Sequence, residues 1–111
     1  MKSRVFVIHT KDNSENNLID GINACFNQFG GIDKIVKGNV FIKINATAVN
    51  PDAITSPEVI VALIKVIQKA KINYKNIYIF DNSAFGMPTR IVYKLQNLAK
   101  RIKKLGAIPL Y

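Results

Sequence analysis

Three short stretches of this chain carry side chains that can do chemistry. They are KIN at residues 43–45, DNS at residues 81–83 and TR at residues 89–90. Lys43 is the least expected of them, because it sits inside the apolar run VFIKIN. A lysine fully buried in an apolar interior must be paired or neutral, since an isolated ammonium there is very costly. At the carboxyl end of a strand it can instead reach a cleft. There it would meet a carboxylate such as Asp81, meet the phosphate or carboxylate of a ligand, or extend to the sheet edge and stay hydrated. Asp81 has its own alternatives. A carboxylate ending a strand can hold a hydroxyl, coordinate a metal through water or act as a base. It can also close an Asx-turn with Asn82 and Ser83. Thr89 and Arg90 stand at a helix start, where backbone N–H groups attract anions and a guanidinium adds a fixed fork. The helix start at Thr55 offers the same backbone donors.

These residues need a scaffold, and the hydrophobic pattern supplies one. Residues 4–9 (RVFVIH) read as a first strand, β-branched and aromatic. A helix follows, capped by Asn13 or Ser14 and carrying Leu18, Ile22, Cys25 or Phe26, and Phe29 at helical spacing. Gly30 and Gly31 stop it. Residues 40–45 form a second strand. A second helix starts at Thr55 with Glu58 as a capping box, or at Ser56 with Pro57 in the first turn. This helix is apolar around much of its circumference, so it should be covered on more than one side. Residues 77–81 form a third strand. A last helix from Thr89 carries Ile91, Leu95, Leu98, Ile102 and Leu105, and a fourth strand begins at Ala107.

The order β-α-β-α-β-α-β, with continuously apolar strands, predicts a Rossmann-like three-layer α/β/α fold. Its sheet should be mostly parallel, with helices on both faces. Ligands of such sheets bind beyond the carboxyl ends of the strands, which is where Lys43, Asn45, Asp81 and Ser83 fall. No GxGxxG or GxxxxGK[ST] motif accompanies them. His9 is alone at a strand end, Cys25 lies on the buried stripe of the first helix, and no cluster has metal-ligand spacing.

At 111 residues the chain is expected to form one α/β domain, or an incomplete portion of a larger one, because it stops just inside a strand. It is 49% hydrophobic and 21% charged, which favours a packed core over disorder. No apolar run is long enough to span a bilayer, and no signal peptide is evident. The single cysteine excludes an intrachain disulfide framework and any cysteine-only metal or iron–sulfur site built by this chain alone. It fits a cytoplasmic setting. The net charge of +9 points to an anionic partner, though the chain is also rich in Ile, Lys and Asn together, so much of its lysine is compositional. Arg90, Lys94, Arg101 and Lys104, with Asn97 among them, make a basic stripe along the last helix. Without interleaved aromatics it reads as a solvated face rather than a nucleic-acid interface.

The run FGGIDKIVKGNVFIKINATAV resembles the segment around the lysine–proline–asparagine signature of the DUF362 family, whose function is uncharacterised. TSPEVIVALIKVI resembles the helix start that follows in that family, and IYIFDNSAFGMPTR its aspartate–serine strand end, glycine-containing loop and threonine–arginine pair. The resemblance implies that Lys43, Asn45, Thr55, Pro57, Glu58, Asp81, Ser83, Gly86 and Arg90 are shared family features, and that the chain corresponds to the amino-terminal part of the family domain. Ile44 stands where the family pattern has proline. Relatives often carry a ferredoxin-like, cysteine-rich segment that this chain lacks.

Two functional expectations result. In the first, a small anionic ligand binds at Lys43, Asn45, Thr55, Asp81, Ser83 and Arg90, with no metal; whether an enzymatic step accompanies binding is open. In the second, the domain is an interaction module, possible within a redox system, that forms homo-oligomers through its apolar helix or an edge strand.

Overall fold

A computed structural model describes residues 2–46, 54–81, 91, 93–94 and 97–110. Helix α1 spans Glu15–Gln28 and is followed by a 3-10 turn at Ile32–Lys34. Strand β1 spans Gly38–Lys43, α2 Pro57–Lys69, β2 Tyr74–Phe80, α3 Leu98–Lys104 and β3 Ile108–Pro109. The three strands form one parallel sheet in the order β1-β2-β3.

Local signals set the helix ends. Ser14 caps α1, its hydroxyl accepting the Asn17 N–H, and Asp12 in turn accepts the Ser14 N–H. At the other end Gly30 and Gly31 have φ of 92° and 104°, and the Gly31 N–H returns to the Phe26 carbonyl. That left-handed backbone favours glycine. Ser56 and Pro57 open α2, the second of the two expected starts. The Ser56 hydroxyl donates to Glu58 at 2.8 Å and, with the Glu58 backbone N–H, holds that carboxyl below the usual range.

The core lies between one face of the sheet and the helices α2 and α3. Ile44, Ile77 and Ile79 meet Ile60, Ile64 and Ile67 of α2 and Leu98 and Ile102 of α3. Helix α1 packs on α2, and Glu15 pairs with Lys65 across that contact at 2.6 Å. The apolar helix α2 is thus covered by the sheet and by α1, which accounts for its buried Val61, Ala62 and Val66.

Three expectations need correction. Residues 4–9 form no strand. Their backbone joins no backbone hydrogen bond among the described residues, and Val5 and Val7 are 84% and 89% exposed. The segment instead lies along α1, with Phe6 edge-on to Phe29 at 5.0 Å and Arg4 over the same ring. Strand propensity needs a partner edge, and here none is engaged.

The second difference concerns the sheet: among the described residues, helices cover one of its faces. In β1 the residues Asn39, Phe41 and Lys43 point away from the core. On that open face Phe41 stacks on Tyr78 at 4.9 Å, and Ile108 and Leu110 stay exposed.

Third, the last helix is not continuous. Asn97 adopts φ 54°, ψ 20°, and α3 starts anew after it. Asparagine is one of the few non-glycine residues that tolerate this left-handed conformation.

Candidate functional site

The carboxyl ends of β1 and β2 meet at one point. Lys43 pairs across the sheet with Phe80, and the Ile44 N–H continues the ladder to the Phe80 carbonyl at 3.0 Å. Asp81 follows directly and turns its carboxylate under the end of β1. One oxygen lies 2.5 Å from the Lys43 ammonium, and the other accepts the Ala46 N–H at 2.6 Å. The Asp81 side chain is 3% exposed and that of Lys43 58%. Burial of a carboxylate is tolerable here because it is both paired and hydrogen-bonded. Of the alternatives open for Lys43, the ion pair with Asp81 is therefore the one formed.

Lys43 also donates to the Ile44 carbonyl at 2.7 Å. An ammonium carries three donors. Two are engaged, and the third remains for a group approaching from the exposed side.

Asn45 and Thr55 hold the next turn of chain. The Asn45 N–H donates to the Thr55 hydroxyl at 2.9 Å, and the Thr55 N–H donates to the Asn45 carbonyl at 2.7 Å. Ala46 and Ile54 add an antiparallel bridge just inside this clamp. Thr55 thus acts on the backbone across the loop, a role its position before a helix did not signal. The Ala46 N–H was likewise missed, because a backbone donor leaves no mark on residue type.

Lys43, Asn45, Thr55 and Asp81 are brought together. Ser83 and Arg90 lie outside the described residues, as does Gly86. His9 is exposed and lines a different, shallow depression with Thr10, Lys11 and Asp20. Cys25 is half-buried beside a cavity of about 310 Å³ between the amino-terminal segment, α1 and Val59. Among the described residues no three His, Cys, Asp or Glu side chains gather as metal ligands, and no helix is long and apolar enough to cross a membrane.

No curated protein and no solved structure matches the chain. A family model described as a domain of unknown function does, over residues 40–111, which include β1 from Val40 onward, the Lys43–Asp81 pair and the described elements after them. The chain belongs to that family, DUF362.

Proposed function

We propose that this domain binds a small anionic ligand at the carboxyl ends of β1 and β2, with Lys43 as the charged contact. The supporting observation is an exposed ammonium fixed by a buried carboxylate, with one donor to spare. Such an arrangement orients a donor without an ordering cost at the moment of binding. Strand ends of Rossmann-like parallel sheets are the usual place for such ligands. Because Asp81 neutralises Lys43, further attraction must come from elsewhere. Arg90 is the sequence's candidate for it, with Ser83 supplying a hydrogen bond. The single cysteine fits a cytoplasmic location for this activity.

Thermal shift with inorganic phosphate and with small carboxylates tests the proposal. The wild-type melting temperature should rise with ligand concentration, as for any ligand that binds only the folded state. Lys43→Ala should abolish most of that rise. Equal rises in both proteins would remove Lys43 from the site.

A second reading is self-association through the open sheet face, supported by Phe41, which is 59% exposed and stacked on Tyr78. With α2 covered on two sides, the apolar-helix route to an oligomer loses its basis. Light scattering should show a dimer that Phe41→Glu returns to monomer. A wild-type monomer at high concentration would refute it.

A further inference from the structure

The break at Asn97 does more than interrupt a helix. It separates Lys94 from α3 and opens a groove of about 750 Å³ between them, lined by Lys94, Asn97, Lys100, Lys103 and Lys104. Ala99 and the buried Tyr93 form its apolar floor. Lys100, Lys103 and Lys104 stand three and four residues apart, so they share one side of α3. Arg101 points elsewhere and pairs with Glu58 at 3.2 Å. The basic stripe expected along a single helix is thereby redistributed: Arg101 leaves it, and Lys100 and Lys103 join.

The other lysines placed near acidic groups are used up by them, as in Lys43–Asp81 and Lys65–Glu15. Among the described residues the four groove lysines have no ion pair, and no acidic residue is among the groove's described lining. Four ammoniums around one concavity repel one another, and a multiply charged anion relieves that repulsion. A volume of this order is that of a small-molecule pocket. Lysine binds phosphate as a point charge, and four lysines but no arginine are among the groove's described lining.

We infer that the groove beside α3 is a second site, distinct from the Lys43 strand-end site, for a small molecule carrying two or more phosphates. The inference does not depend on the strand-end reading, since the two sites share no residue.

Calorimetric titration with inorganic triphosphate at about 0.15 M salt tests it. Wild type should bind. Lys100→Gln/Lys103→Gln should weaken binding by about tenfold, the scale of losing two exposed charge-assisted contacts. Lys37→Gln/Lys71→Gln removes the same net charge from exposed positions outside the groove. It should change affinity by less than about twofold, since those charges act only through screened, long-range attraction. All four lysines are exposed, so both variants should keep the wild-type circular dichroism spectrum. Equal weakening in the two variants, or absence of binding by wild type, would overturn the assignment.

Discussion

Replacing Asp81 by alanine is expected to cost about 2–4 kcal/mol of stability, read as a lower urea midpoint at unchanged slope. Among the described residues its carboxylate answers two groups of different character. The Ala46 N–H belongs to a residue that is 1% exposed, so removing this acceptor costs a buried hydrogen bond. The Lys43 ammonium is largely exposed and can rehydrate, so that half of the loss is smaller. Asp81→Asn separates the two. Its amide oxygen can still accept from Ala46 while the charge opposite Lys43 is gone. It should therefore recover more than half of the stability that Asp81→Ala loses. If the two variants lose equally, the charge pair and not the backbone bond holds the strand ends together.

Ile64→Ala is expected to cost about 3 kcal/mol, or roughly 12 °C in melting temperature for a domain of this size. Ile64 is fully buried in the middle of α2, where that helix meets Ile77 and Ile79 of β2 and Ile102 of α3. Truncation there leaves a cavity that three rigid elements cannot close. Val59→Ala on the same helix provides the contrast. Val59 is half-buried beside the existing cavity next to Ile8 and Leu18, and its loss should cost about 1 kcal/mol. Thermal or urea unfolding of both would check the gradient. Equal costs would mean that the α1–α2 contact is packed as tightly as the sheet–α2 core.

What the sequence made legible was local. Ser14, Gly30–Gly31 and Ser56–Pro57 each mark an element end where the structure has one, because caps and left-handed turns depend on single residue types. Side chains alternate along an extended strand, which puts Phe41 and Lys43 of β1 on one face with Asn45 just beyond it, and all three are exposed. What was not legible was pairing. RVFVIH has the side chains of a strand, but nothing in six residues shows whether a hydrogen-bonding edge will meet them. The covering of both sheet faces came from the habit of parallel sheets, not from residues in this chain. In the last helix the apolar repeat runs through Asn97 without interruption. Only the tolerance of asparagine for a left-handed backbone hinted at the break. At the site, the meeting of Lys43 with Asp81 was among the readings of two strand-end charges. The Asn45–Thr55 clamp was not, because it is made largely by backbone atoms.

The two proposed anion sites lie on different parts of the chain, so one residue-resolved experiment addresses the central claim. Uniformly nitrogen-labelled protein titrated with inorganic phosphate should show saturable amide shifts at Ile44, Asn45, Ala46, Thr55 and Asp81, and Lys43→Ala should remove them. Shifts restricted to residues 94–104, or unchanged at the strand ends when Lys43 is replaced, would contradict a ligand site at the carboxyl ends of β1 and β2.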